Sequence, residues 1–104
     1  MKFNKENIEI LSQHVTLVHH IKGRVRFKVD AKIQNYSEKI DLDSLGKLEQ
    51  KIYGIKTVSL NKLAKSLTIE YDHSIIAPAT WDELASSDNH EETANKLNNL
   101  LKED

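Results

Sequence analysis

The chain of 104 residues has no cysteine, one proline, three glycines and few aromatic side chains. Without cysteine there is no disulfide scaffold, thiolate zinc site, iron–sulfur cluster, redox pair or thiol nucleophile. Long apolar runs are also missing, whereas a transmembrane helix needs about 20 apolar residues. Because residues 1–7 hold no apolar stretch of signal-peptide length, we expect a cytoplasmic protein without direct membrane insertion.

The composition that is present suits one small folded domain. Hydrophobic residues make up 38 % of the chain, charged residues make up 30 %, and the formal net charge is −1. These values are typical of a globular protein rather than a disordered one. The near-neutral charge argues against general binding to nucleic acid or membrane surfaces, but an average hides local patches.

The clearest pattern is an alternation of apolar and basic residues over residues 15–30. Mostly apolar residues fill the odd positions, namely Val15, Leu17, His19, Ile21, Gly23, Val25, Phe27 and Val29. The even positions hold Thr16, Val18, His20, Lys22, Arg24, Arg26, Lys28 and Asp30. Successive side chains of a strand point to opposite faces, so the pattern predicts a strand with one apolar and one basic face. Because this stretch is long for one strand, we expect Gly23 to mark a bulge, bend or break.

The rest of the chain predicts helices on one side of a sheet. Apolar residues recur every third or fourth position over residues 42–53, which predicts a helix, and Gly54 suits the left-handed position after it. Residues 57–61 and 66–71 alternate and predict a hairpin. Thr80 with Glu83 forms a capping box, followed by two helices or by one helix broken near residues 86–89. The order predicts an α+β two-layer sandwich, with an antiparallel sheet and helices on one face.

Two segments resemble a known family. They are Val18-His19-His20-Ile21-Lys22-Gly23-Arg24-Val25-Arg26-Phe27-Lys28-Val29 and the hairpin of residues 55–63 and 66–72. Both are similar to the opening strand and central hairpin of the cysteine-free branch of heavy-metal-associated (HMA-like) domains. The resemblance implies a ferredoxin-like fold, with residues 1–13 as an amino-terminal extension and residues 14–104 as the domain with a carboxy-terminal helical segment.

The chain departs from the family pattern in three respects. Lys22 stands where proline is usual, and Lys65 stands where glycine is common in the hairpin. No clear strand follows the second helix, so the last strand of the ferredoxin-like fold is unaccounted for. The Cys-x-x-Cys loop of the metallochaperones is absent, which excludes copper(I) transfer by thiolate exchange.

Three histidines are candidate metal ligands: His14, His19 and His20. Imidazole nitrogen suits iron, other transition metals and haem iron. The alternation predicts His20 on the basic face and His19 on the apolar face, so the two do not chelate one ion together. Two interpretations stay open: His19 is a partly buried, hydrogen-bonded residue and His20 a solvated one, or one histidine is an axial haem ligand with arginines pairing the propionates.

The basic stripe consists of Lys22, Arg24, Arg26 and Lys28, and we expect it on the uncovered side of the sheet. It is either a solvated face balanced by acids such as Glu70 or a binding surface for an anion or an acidic partner. Nucleic acid is disfavoured, because base stacking needs exposed aromatic side chains and the even positions carry none. Residues 81–104 are acidic and form a second charged region, of opposite sign to the basic stripe. This region could bind a partner or the basic stripe of a second copy in a homodimer.

Motifs of catalysis are absent from the sequence, including phosphate loops, nucleophile elbows and His-Glu-x-x-His. We therefore expect a protein that is not an enzyme. The resemblance implies an HMA-like accessory module of a bacterial system that transports or stores iron, another transition metal or haem. The resemblance implies a heavy-metal P-type ATPase or another metal-handling protein as partner. The alternative is a protein–protein adaptor that binds no metal and docks through its basic sheet face.

Overall fold

The computed structural model describes residues 3–36, 42–86 and 90–102. Its longer elements follow the chain in the order α1 (Lys5–His14), β1 (Val15–Ile21), β2 (Arg24–Val29), α2 (Leu42–Leu45), β3 (Ile55–Asn61), β4 (Ser66–Tyr71), α3 (Pro78–Ala85) and α4 (His90–Asn98). Short 3₁₀ helices occupy Ala31–Tyr36 and Leu48–Gln50.

The four strands form one antiparallel sheet in the order β1-β2-β4-β3. Side chains from β2 and β4 share a single core with α1, α3 and α4, so the helices cover one side of the sheet. The ferredoxin-like motif runs β-α-β-β-α-β, and β2 to α3 supply its first five elements in that order. No strand follows α3 within the described residues, and β1 supplies the fourth strand from the amino-terminal side. The predicted α+β two-layer architecture is confirmed.

Residues 15–30 form a hairpin rather than one long strand. The chain reverses at Lys22 and Gly23, and Gly23 has φ of +94°. Glycine adopts this left-handed backbone conformation without the steric penalty of a Cβ atom. The expected break at Gly23 is therefore the turn between β1 and β2.

β1 carries a bulge at Val18. Leu17 lies opposite Phe27 and His19 lies opposite Arg26, which leaves Val18 as one extra residue in β1. A bulge of this kind inserts two residues of one strand against one of its partner and shifts the alternation beyond it. The side chains before Val18 and those after it therefore alternate between the two faces of the sheet in opposite order.

Because of the bulge, each of the two histidines lies on the opposite face of the sheet from the one predicted. His20 lies opposite the buried Val25 and faces the helices, whereas His19 lies opposite Arg26 on the uncovered side. The alternation predicted the reverse arrangement, which is wrong. A period of two assumes that every residue advances the register by one, and an inserted residue breaks that assumption.

The helix predicted over residues 42–53 is wrong in its length. Four helical residues are followed by a turn at Gly46 and by the 3₁₀ helix, in which Gln50 N–H donates to the Lys47 carbonyl. Glycine inside a helix costs about 1 kcal/mol relative to alanine, and this segment is too short to offset that cost. The expectation for Gly54 is confirmed, since its φ is +94°.

The carboxy-terminal helical stretch consists of two helices, α3 and α4. α3 begins at Pro78 and not at the predicted Thr80, which is buried inside the helix. Proline favours the first helical position because its φ is already helical and its missing N–H needs no partner there. Residues 87–89, where the break was expected, lie outside the described residues.

The amino-terminal residues form α1, which is part of the core. Asn4 caps the helix by accepting a hydrogen bond from the Asn7 N–H at 2.8 Å. Ile8, Ile10 and Leu11 are buried against the rest of the molecule. The domain boundary between residues 13 and 14 stays a prediction.

Candidate functional site

The side of the sheet away from the helices is polar and positively charged. We call it the open face, and it comprises three rows of directly opposite residues. From β1 to β3 the rows are Thr16, Lys28, Ser66 and Asn61; His19, Arg26, Thr68 and Ser59; and Ile21, Arg24, Glu70 and Thr57. Opposite residues of antiparallel strands share a face, so these twelve side chains form one continuous surface.

Arg24, Arg26 and Lys28 project from the central strand β2 onto the open face, as predicted from their even positions. Lys22, the fourth member of the basic stripe, lies in the turn before β2. The alternation of β2 is regular, and its other three residues are buried in the core. The structure therefore brings three of the four stripe residues together on one strand.

The cations of the open face have little compensating charge. Glu70 lies directly opposite Arg24, and Glu70 Oε1 accepts a hydrogen bond from the Thr57 hydroxyl at 3.0 Å. Arg26 Nε donates to the Thr68 hydroxyl at 3.4 Å. Within residues 3–36, 42–86 and 90–102, no carboxylate lies within ion-pair distance of Arg24, Arg26 or Lys28. The stripe is therefore free to attract an external anion.

His19 lies beside the two arginines. It is exposed, sits directly opposite Arg26, and lines a shallow open depression with Val18, Arg24 and Arg26. Among the described residues, nothing forms a hydrogen bond with its imidazole. The open face therefore combines one unengaged imidazole with two guanidinium groups.

His20 is engaged on the helix side and belongs to a different environment. Its Nδ1 lies 3.0 Å from Asp82 Oδ1, and its Nε2 lies 2.7 Å from the Tyr71 hydroxyl. A carboxylate only accepts hydrogen bonds, which assigns a proton to Nδ1, and in the neutral ring Nε2 then accepts from Tyr71. The side chain of His20 is 11 % exposed. This hydrogen-bonded chain ties the edge strand β1 to β4 and α3.

Sequence reasoning did not find Tyr71 and Asp82 as partners of His20. Tyr71 reads as an ordinary core residue in an alternating strand, and Asp82 reads as a solvated acid near a helix start. Their contact with His20 joins residues more than 50 positions apart. No local signal carries that information, since the bulge at Val18 decides which way His20 points.

The three predicted metal ligands do not converge. His14 ends α1, where its Nδ1 donates to the Ile10 carbonyl at 2.9 Å. His19 is on the order of 15 Å further along the extended strand, and His20 points to the other side of the sheet. No group of three metal-ligating side chains occurs in the part of the chain that the structure describes. These residues do not fit a metal ion held by protein ligands alone.

Groups with shifted pKa values lie away from the open face. A hydrogen bond from Lys62 Nζ at 2.8 Å lowers the pKa of Asp43. The hydroxyl and backbone N–H of Ser74 lower the pKa of Asp72. Hydrogen bonding to Glu83 raises the pKa of Lys96. These pairs are local surface contacts and do not change the charge of the basic stripe.

Comparison with protein families identifies the relationship of most of the chain. The family described as heavy metal associated domain 2 matches residues 3–85. The chain belongs to this family. Searches of curated proteins and of solved structures found no match. The resemblance seen in the two sequence segments is therefore confirmed, and it extends over α1 as well.

As a heavy-metal-associated domain, this chain keeps the fold of its family without thiolate ligands. Soft thiolates select copper(I) and zinc, and this member has no cysteine to supply them. No helix among the described residues is long and apolar enough to cross a membrane.

Proposed function

We propose that this heavy-metal-associated domain is a non-enzymatic accessory module of a cellular system that transports or stores a metal. It docks through the open face onto an acidic surface of a metal-handling protein. The observation that carries the proposal is the position of Arg24, Arg26 and Lys28 on the central strand, without an ion-pair partner among the described residues. Family membership supplies the metal-related setting.

The chemistry of the surrounding surface favours a protein partner. Hydroxyl and amide side chains on β3 and β4 continue the open face beyond the cations, and Ser59, Thr68 and Asn61 are among them. These groups form hydrogen bonds with backbone and carboxylate groups of a docked protein. Positive charge at the centre with a polar rim steers an acidic partner and sets its orientation.

Nucleic acid is a poorer occupant for this surface. RNA recognition by a sheet uses aromatic side chains that stack on bases. Phe27 and Tyr71 are buried in the core, and none of the twelve residues of the open face is Phe, Tyr or Trp.

The family resemblance points to a heavy-metal P-type ATPase as the first partner to test. Its isolated cytoplasmic domain would be titrated into isotope-labelled protein, and amide chemical-shift changes would be mapped onto the sheet. We expect the changes to cluster on β1, β2 and β4 and the affinity to fall as ionic strength rises. Changes confined to α3 and α4, or an affinity insensitive to salt, would contradict the proposal.

A pair of charge-matched variants sharpens this titration. Arg24→Gln with Arg26→Gln removes two positive charges from the open face, while Lys5→Gln with Lys47→Gln removes two exposed charges elsewhere. We expect the arginine variant to lose roughly tenfold in affinity and the lysine variant to lose roughly twofold or less. Equal losses would mean that only net charge matters, and the open face would not be the docking surface.

The adaptor that binds no metal remains the alternative function. It is favoured by the separation of His14, His19 and His20, which gives no conventional ion site. Anaerobic titration with iron, zinc and haem distinguishes the two hypotheses. A salt-dependent complex with the ATPase domain supports docking under either of them.

A further inference from the structure

His19 differs from the other histidines of the described chain in its surroundings. His14, His20 and His90 each form a hydrogen bond within the molecule. His73 is exposed in the loop after β4 and does not line the depression that contains Arg24 and Arg26. Only His19 combines an unengaged imidazole with two neighbouring guanidinium groups, among the residues that the structure describes.

One imidazole is too few to hold a bare ion. Zinc sites use three or four protein ligands, and no such group exists among the described residues. An iron porphyrin brings four nitrogen ligands of its own and needs only an axial ligand from the protein. A single exposed histidine therefore fits a metal that arrives already chelated better than it fits a free cation.

The groups around His19 match the rest of a porphyrin. Arg26 lies directly opposite His19, and Arg24 lies on the same face one row away. Arginine pairs with carboxylates through two parallel hydrogen bonds, which suits the two propionates of a porphyrin edge. Val18 and Ile21 are 51 % and 54 % exposed and offer apolar contact along the same strand.

The fold keeps His19 in this position through its neighbour. The extra residue Val18 places His19 on the open face, and the hydrogen bonds of His20 with Tyr71 and Asp82 hold the strand in that phase. Within the part of the chain that the structure describes, β1 is an edge strand with no strand on its outer side. A flat ligand therefore has room to extend beyond the sheet edge.

We infer that the open face binds an iron porphyrin that carries carboxylates, with His19 as the axial ligand and Arg24 and Arg26 as the carboxylate partners. The inference rests on the proposed function, because it names the metal species that the accessory module holds. It requires no other metal ligand from the chain.

Titration with ferric protoporphyrin IX tests the inference through the Soret absorption band. We expect the unmodified protein to bind one equivalent with a shifted band and His19→Ala to lose the shift. His73→Ala is the matched control, since it also removes an exposed imidazole and keeps the shift. Circular dichroism checks that each variant is folded. An unchanged band with the unmodified protein, or an equal loss for both histidine variants, would overturn the inference.

The arginines are tested with the same absorption band. Arg24→Gln with Arg26→Gln should weaken binding roughly fivefold, because exposed charge pairs contribute modestly, whereas Lys5→Gln with Lys47→Gln should leave it unchanged. With the dimethyl ester of the porphyrin, the difference between the arginine variant and the unmodified protein should vanish. A difference that persists with the ester would rule out carboxylate pairing.

The two proposals fail separately. Porphyrin binding and salt-dependent docking are measured separately on the unmodified protein. If the unmodified protein docks but binds no porphyrin, this inference alone is refuted, and if it binds the porphyrin but does not dock, the proposed function alone is refuted.

Discussion

The two faces of the sheet show how one strand serves two purposes. On β2, Val25, Phe27 and Val29 are buried in the core, while Arg24, Arg26 and Lys28 alternate with them on the open face. The buried residues bind the sheet to the helices through apolar contact, which stabilises the fold. The basic residues contribute little to that packing and are available to a partner. The packing surface and the proposed docking surface therefore lie on opposite sides of the same six residues.

The edge strands differ from the central strands in regularity. β1 has its extra residue at Val18, and β3 has one at Lys56, whereas β2 and β4 pair without interruption. Bulges on edge strands discourage pairing with another chain. In this molecule the bulge on β1 also decides which histidine reaches the open face.

Phe27→Ala should give the largest effect, because it removes a ring buried in the core beside Trp81. We expect the free energy of unfolding to fall by about 3–5 kcal/mol. Lys28→Ala, the next residue on the other face, should change it by less than about 0.5 kcal/mol. Chemical denaturation measures both variants. Similar losses would show that the two faces share the packing energy.

Gly54→Ala and Gly23→Ala compare two glycines with the same φ of +94°. A Cβ atom at Gly54 would lie 2.7 Å from Ile75 Cγ2, whereas at Gly23 its nearest neighbour would be the Tyr71 carbonyl oxygen at 3.5 Å. Both variants should lose about 1–2 kcal/mol from the left-handed backbone. Overpacking should add about 1–3 kcal/mol for Gly54→Ala alone. Thermal unfolding tests this, and equal stability of the two variants would argue against close packing at Gly54.

Tyr71→Phe removes the hydroxyl that bonds with His20 and keeps the buried ring. We expect the free energy of unfolding to fall by about 1 kcal/mol, the usual contribution of such a bond. Tyr53→Phe, at a half-exposed ring, is the control and should be near neutral. Hydrogen exchange in β1 should also accelerate in Tyr71→Phe. Unchanged exchange would mean that the His20 contacts do not hold the edge strand.

Arg24→Gln with Arg26→Gln should have the smallest effect on folding. These side chains lie on the open face, so we expect a change within about 0.5 kcal/mol. Lowering ionic strength should favour the variant relative to the unmodified protein, because fewer like charges repel across β2. A large loss of stability would mean that the stripe is part of the structure and not a free surface.

Much of the fold could be predicted from local patterns. The β3–β4 hairpin was expected at residues 57–61 and 66–71, and β4 occupies Ser66–Tyr71. The turn of that hairpin contains Lys65 at φ of +55°, the place where the family pattern has glycine. The hairpin was recognisable because two alternating segments with a short connection leave few other arrangements.

The site could be predicted only in part. The basic residues of β2 were placed on the correct face because β2 has no irregularity. The two histidines of β1 were placed on the wrong faces. The bulge at Val18 depends on how β1 pairs with β2 and not on the residues of β1 alone. The length of α2 was overestimated for a related reason. Apolar residues that recur every three or four positions reach the core from a turn as well as from a helix.

The sequence by itself determined the absence of thiolate chemistry, the alternation of β2 and the polar character of the open face. These properties depend on residue identity and on the fixed geometry of an extended chain. Only the tertiary structure decided that β1 supplies the fourth strand, that His20 joins Tyr71 and Asp82, and that His19 lies beside Arg26. Strand pairing sets these relations between distant residues, and a single inserted residue is enough to exchange two neighbouring side chains between a core contact and a free surface.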